Sequence, residues 1–227
     1  MKTLGKVVTI SKLDDGEGVR VTKDFLAKVT KNLFQNIKNY CDIVNELPVC
    51  YQERQVLSLI GSAIQKVSPA FLGELPVRRS DLLDRNSDSH GWVDFWAAYR
   101  NTNYFIEVKH GFYSYRSKKL RSDVEKKWDE AVNQLNSSKL ELEKNGIYKN
   151  NFLISLMVMP FYVTANGSEE IEFSFEEVKE CNSSISKQIK SNWSCLCYLH
   201  KEYVGPYDYM KSREYHPAIG VYARVFK

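Results

Sequence analysis

Three ionic side chains set into two short, strongly apolar runs constrain this chain more than any other feature. From Gly91 the sequence reads Trp92-Val93-Asp94-Phe95-Trp96-Ala97-Ala98-Tyr99, breaks at Arg100-Asn101-Thr102-Asn103, and resumes as Tyr104-Phe105-Ile106-Glu107-Val108-Lys109-His110. Aromatic and β-branched residues on either side of a polar turn describe a β-hairpin. Placing Tyr99 opposite Tyr104 sets Asp94 opposite Lys109 and Trp96 opposite Glu107. Side chains alternate along a strand, so Asp94, Glu107 and Lys109 then share one face, with β-carbons about 5 Å apart for the direct pair and about 7 Å for the Asp94–Glu107 diagonal. The other face takes Val93, Phe95, Ala97, Ile106 and Val108, an ordinary core surface.

Burying two carboxylates and an ammonium costs several kcal/mol unless they are paired or coordinate a cation. Carboxylates at this separation suit a hard divalent ion, and magnesium takes one or two carboxylates together with water and phosphate oxygens. A lysine beside such an ion can orient an attacking water and stabilise negative charge developing on phosphorus. These residue types in this arrangement therefore point to phosphodiester cleavage with Mg2+, for which Mn2+ substitutes.

The rest of the chain reads as a frame around that hairpin. Apolar residues recur at helical spacing from Val21 to Leu47, where Pro48 closes the run, and again from Tyr51 to Val67, before Ser68-Pro69. Arg78 to His90 is polar and aperiodic and reads as a loop. Asp123 to Leu142 is a third helix, Phe152 to Val163 a nearly continuous apolar strand of sheet-centre character, and Phe175 to Ile189 a fourth helix. Cys195 to Leu199 and Ala218 to Phe226 read as further strands. The expected organisation is a helical segment over residues 1–50 packed on an α/β domain over residues 51–227.

An aspartate on one strand of a hairpin and Glu-x-Lys on the next, flanked by helices, resembles the PD-(D/E)xK nuclease superfamily of restriction-endonuclease-like folds. Here the motif reads Val93-Asp94 and then Glu107-Val108-Lys109, with valine where the family usually has proline. The resemblance covers about half of the chain, roughly Tyr51 to Val163. It implies a mixed sheet flanked by helices, with Asp94, Glu107 and the Val108 carbonyl on the metal and Lys109 positioning the water. Family members often carry a glutamate on the preceding helix. Glu53 matches, since it shares the inward stripe of Val56, Ile60 and Ile64, and Glu74 is its substitute. A glutamine on the following helix recurs in some branches, and Gln134 is its counterpart. The implied activity is that of a DNA endonuclease, with RNA not excluded as substrate. The alternative is an inactive descendant of the same fold that binds DNA or a protein partner.

Charge is concentrated beside the hairpin. Tyr115 to Lys127 carries six Lys or Arg against two Asp or Glu, a local +4 equal to the formal net charge of the whole chain. Arg116, Lys118, Lys119 and Arg121, with Tyr113 and Tyr115 alongside, suit contacts to a phosphate backbone, which supply affinity and salt dependence without sequence choice. Tyr203, Tyr207, Tyr209 and Arg213 are candidates for base or sugar stacking. The five cysteines are odd in number and irregularly spaced, which fits reduced buried thiols, and Cys195-Leu196-Cys197 lacks the second ligand pair of a zinc site. No apolar run approaches the ~18 residues of a membrane span and no signal-peptide core follows Met1, so the expectation is a cytoplasmic protein. The Val21–Leu47 helix is a possible interface for a homodimer or a partner subunit.

Overall fold

The computed structural model describes residues 3–80, 88–145, 147–165, 171–209 and 212–227. The long amphipathic run becomes α1 (Val19–Val44), which buries Phe25, Leu26, Val29, Leu33, Phe34, Ile37 and Cys41 along one stripe. It starts at Gly18, whose φ of 82° and close approach to the Phe152 ring leave no room for a side chain: a β-carbon there would lie 2.7 Å from Phe152 Cε2. It stops at Asn45, left-handed at φ 60°, whose N–H bonds the Cys41 carbonyl. A short turn at Pro48–Cys50 leads to α2 (Glu53–Gln65), with Val56, Ile60, Ala63 and Ile64 buried.

The strands form one mixed sheet. They are β1 (Gly5–Ser11), β2 (Ala70–Ser80), β3 (Asp88–Tyr99), β4 (Thr102–His110), β5 (Tyr113–Ser114), β6 (Asn150–Ala165), β7 (Trp193–Leu199), β8 (Tyr207–Tyr209) and β9 (Ser212–Phe226). Their order is β1-β7-β9-β6-β4-β3-β2, with β5 added to β6 and β8 to β9. β4 and β6 run parallel, and α3 (Ser122–Asn145) makes the crossover between them. α4 (Phe175–Gln188) follows β6, its first turn capped by the Ser174 side chain accepting from the Glu177 N–H.

The central strand β6 is buried on both faces, which is why its sequence is apolar almost throughout. Phe152, Ile154, Leu156 and Val158 pack into the layer of α1 and α2. Met157, Met159 and Phe161 pack with Trp128 of α3 and Val178, Cys181 and Ile185 of α4. Cys195 and Cys197 point together into the α1/α2 layer, and all five cysteines are free thiols.

Three expectations change. The first 50 residues are not helical alone, because Lys6-Val7-Val8-Thr9-Ile10 forms an edge strand on β7. Residues 70–80 form the opposite edge strand, β2, where Pro76 is tolerated because one side of an edge strand needs no ladder bond. Arg78–Ser80 and Asp88–His90, expected in a loop, pair as strand, and residues 81–87 lie outside the described residues. The hairpin turn is also shorter than expected. Tyr99 pairs with Thr102 and Ala97 with Tyr104, so the turn is Arg100-Asn101, both with positive φ (46° and 60°), the backbone of a two-residue turn whose twist matches the strands.

Candidate active site

β3 and β4 stay paired only from the turn to Phe95–Ile106. β3 then continues with β2 as far as Asp88–Ser80, so the sheet forks at Asp94. Continuing the observed register would set Asp94 opposite Glu107, and Lys109 would be displaced by two residues from its expected partner. At the fork the Asp94 side chain replaces the missing strand bond: Oδ2 accepts the Val108 N–H at 2.7 Å. On the other side of Asp94, Glu74 of β2 has a φ of 54°, and its neighbours pair as Gly73–Phe95 and Leu75–Val93. Phe95 packs into the α1/α2 layer, whereas Val93 joins Leu135 and Leu142 of α3. Residues two apart on a regular strand share a face, so β3 turns over at Asp94. That corrects the expected placement of Val93 beside Phe95; Ala97, Ile106 and Val108 lie in the expected layer.

Around this fork the expected ionic groups come together. Lys109 Nζ donates to Glu107 Oε1 at 2.8 Å, with the two side chains 15% and 5% exposed. From the first turn of α2, Glu53 Oε2 accepts the N–H of His110 at 3.2 Å, which ties the helix start to the end of β4. Burial alone would lower the Lys109 pKa, but the nearby carboxylates of Glu107, Asp94 and Glu53 outweigh it and hold the ammonium above its ordinary value. Burial pushes the Asp94 carboxyl above its usual range. The Val108 N–H and Lys109 oppose that shift, and the negative charges of Glu53 and Glu74 add to it. Glu74 thus reaches Asp94 through its field from an exposed position on β2, while Glu53 is bonded to the backbone of β4. His110 points into the opposite layer, where its Nε2 meets the Val49 carbonyl at 2.9 Å and burial lowers its pKa to about 4.

α3 closes the site from the other face. Trp128 shares a core cluster with Met157, and Leu135 shares one with Phe105 and Leu153. Met157 pairs with Lys109, Leu153 with Phe105, and between them Ser155 pairs with Glu107. The stretch of α3 from Ala131 to Gln134 therefore runs over Glu107 and Ser155. Gln134 Oε1 and Ser155 Oγ are both buried, with no protein hydrogen-bond partner. The sequence reading missed Ser155, although a signal was present: it is the hydroxyl residue in the middle of the apolar run Phe152 to Val163.

The basic segment lies between β5 and α3. Arg116, Lys118, Lys119 and Arg121 are exposed, and Arg121 forms a two-point ion pair with Asp123 (2.9 and 3.1 Å). Lys127 donates to the His110 carbonyl at 3.3 Å, linking α3 to the end of β4. The tyrosines expected beside these cations are core residues instead. Tyr113 and Tyr115 are buried against α4, and the Tyr115 hydroxyl donates to Glu177. Tyr203 is likewise buried, its hydroxyl bonded to Asp42 at 2.8 Å, and the Tyr207 hydroxyl donates to the Tyr203 carbonyl. The Tyr203 ring is therefore not placed to stack on a base, whereas Tyr207 is half-buried. Arg213 is exposed and paired with Asp208, and the Tyr209 side chain lies outside the described residues.

Among the described residues no group of three or more His, Cys, Asp or Glu side chains forms a ready-made metal cage. Magnesium does not require one, since it keeps several waters and binds through one or two carboxylates. The donors at the fork, Asp94, Glu107 and the Val108 carbonyl, are hard oxygens, and buried polar oxygens of Gln134 and Ser155 stand on the same side of β4 and β6. That chemistry fits a hard divalent cation. No family model, curated protein or solved structure matches the chain.

Proposed function

We propose that the protein is a divalent-metal-dependent nuclease of PD-(D/E)xK type with a restriction-endonuclease-like core, hydrolysing phosphodiester bonds in DNA. The observation that carries this reading is the fork at Asp94, where the Lys109 ammonium is bonded to Glu107 and lies within the field of Asp94 and Glu53. Asp94, Glu107 and the Val108 carbonyl would hold Mg2+ or Mn2+. When bound, such an ion polarises a phosphoryl oxygen and makes its water a stronger nucleophile.

The protein's own groups then have distinct tasks. Lys109, kept protonated by its carboxylate neighbours, donates to the attacking water and to the charge that grows on the phosphoryl oxygens in the transition state. Glu107 holds the Lys109 ammonium in place through its 2.8 Å bond. Asp94 fixes the fork by taking the Val108 N–H. Glu53 anchors the start of α2 to β4 and adds negative charge near the ammonium. Gln134, whose buried Oε1 has no protein hydrogen-bond partner, would hydrogen-bond water or substrate at the floor of the site. Arg116, Lys118, Lys119 and Arg121 supply sequence-independent phosphate contacts.

The test incubates supercoiled plasmid, single-stranded DNA and RNA with wild type, Asp94→Ala and Lys109→Ala, in Mg2+, Mn2+ or EDTA. The expected result is cleavage that needs the cation and falls at least ~100-fold in Lys109→Ala, equivalent to about 2.7 kcal/mol of transition-state stabilisation. Equal behaviour of wild type and both variants on every substrate would overturn the reading.

A further inference from the structure

From Phe152 to Val163 every residue of β6 is apolar, proline or tyrosine except Ser155. Ser155 is 0% exposed, and alanine would fill nearly the same space without burying a hydroxyl. A buried hydroxyl nearly always has a hydrogen-bond partner, yet Ser155 Oγ has none in the protein, and Arg224, its neighbour on β9, does not supply one. Asn103, Ser194 and Tyr222 also carry buried oxygens without a partner, but their ladder neighbours are uncharged: Ala98 and Asn151, Ile10 and Tyr222, Met157 and Ser194. Ser155 lies beside a carboxylate. Its partner on β4 is Glu107, which takes the 2.8 Å bond from Lys109 Nζ.

The two side chains share a face. Leu153 and Met157, two residues to either side of Ser155, pack in clusters that include α3, as does Phe105, two residues before Glu107. Alternation therefore sends Ser155 and Glu107 side by side toward α3, from strands about 4.8 Å apart. The serine side chain is too short to close that separation, and one water molecule spans it.

We propose that Ser155 is a positioning residue of the cation site, its hydroxyl hydrogen-bonding a water carried by the divalent ion at Glu107, so that the ion is bound partly hydrated and steadied from β6 as well as β4. This deepens the nuclease reading and rests on it. Magnesium sheds its waters reluctantly and keeps several when one or two carboxylates bind it. Such waters turn their lone pairs to the ion and their hydrogens outward, so they need acceptors around them. A serine oxygen offers two acceptor lone pairs and no charge. It fixes where the water sits and leaves the ion's charge to Asp94 and Glu107. Gln134 Oε1, likewise buried and without a protein partner, is an acceptor of the same kind on α3.

The experiment compares wild type, Ser155→Ala and Ser155→Thr. Mn2+ uptake is read from the loss of the free-ion electron paramagnetic resonance signal, with and without a phosphorothioate oligonucleotide that gel analysis shows to stay intact, and each protein is melted in EDTA. Ser155→Ala removes a buried hydroxyl that bonds nothing in the protein, so it should melt at or above the wild-type temperature while binding Mn2+ about 10-fold more weakly. Ser155→Thr restores the hydroxyl and should bind more tightly than Ser155→Ala. Wild-type Mn2+ affinity in Ser155→Ala would overturn the proposal. So would weaker uptake accompanied by a fall of more than about 5 °C in its melting temperature in EDTA, which marks a packing role. Cleavage by wild type in Mg2+ is scored separately. Its absence beside Ser155-dependent uptake defeats the nuclease reading and leaves the cation site, whereas its presence with unaltered uptake by Ser155→Ala defeats only the role of Ser155. No uptake by wild type defeats both.

Discussion

Replacing Asp94 separates its two roles, because the structural one needs only an acceptor and the chemical one needs a charge. Asp94 Oδ2 accepts the N–H of Val108, a residue with 0% exposure, at 2.7 Å. Alanine at 94 strands that N–H in a buried strand, at a cost of about 1–3 kcal/mol. For a chain of this size each kcal/mol lowers the melting temperature by roughly 2–4 °C, so Asp94→Ala should melt about 2–12 °C below wild type. Asparagine retains an oxygen acceptor in the same place and removes a charge that burial disfavours, so Asp94→Asn should melt at or above the wild-type temperature. Both variants lose the carboxylate and should cut DNA at least ~100-fold more slowly. Calorimetric melting beside a cleavage assay reads both quantities. Equal stability of the alanine and asparagine variants would refute the structural role of the Asp94–Val108 bond. Cleavage by Asp94→Asn at the wild-type rate would refute the chemical one.

Other outcomes follow from single contacts. Glu53→Gln keeps the acceptor for the His110 N–H but not the charge near Lys109, so its melting temperature should hold within about 2 °C while cleavage falls by about tenfold or more; unaltered cleavage would remove Glu53 from the site. Gly18→Ala places a β-carbon 2.7 Å from the Phe152 ring at a φ of 82°, so it should cost about 1–3 kcal/mol in denaturant melts, and a neutral result would contradict the close packing of α1 on β6. Reversing Lys118 and Lys119 to Glu should weaken binding similarly across DNA sequences and reduce the slope of log affinity against log salt by about two. A slope unchanged from wild type would place the phosphate track elsewhere.

The main features of the site were legible in the sequence because face parity is robust. Glu107 and Lys109 share a face because they lie two apart on one strand, and the two-residue displacement only moves Asp94 from opposite Lys109 to opposite Glu107, an even slip that exchanges no faces. Two positive-φ residues at Arg100-Asn101 make a two-residue turn without the Asn-Gly signature that would announce it. Helical spacing correctly directed Glu53 inward. The turnover of β3 at Asp94 was not legible, because it depends on the unpaired fork and on the left-handed Glu74 across from it. β2 was hidden by Gly73 and Pro76, which read as loop punctuation unless the strand is known to lie at an edge. Tyr115 and Tyr203 look like surface tyrosines in a polar sequence context, but their hydroxyls find Glu177 and Asp42 and their rings enter the core. Sequence distance concealed the pairing of β1 with β7, whose partners lie far apart in the chain.

Cation uptake at the fork is the most direct test of the account. Isothermal titration of Mn2+ is made into the protein alone and into protein carrying a phosphorothioate oligonucleotide that gel analysis shows to stay intact during the titration, comparing wild type with Asp94→Asn and Glu107→Gln. Saturable uptake by wild type that is lost or weakened at least tenfold in both variants is the predicted result. No uptake by wild type, or equal uptake by all three proteins, would contradict it.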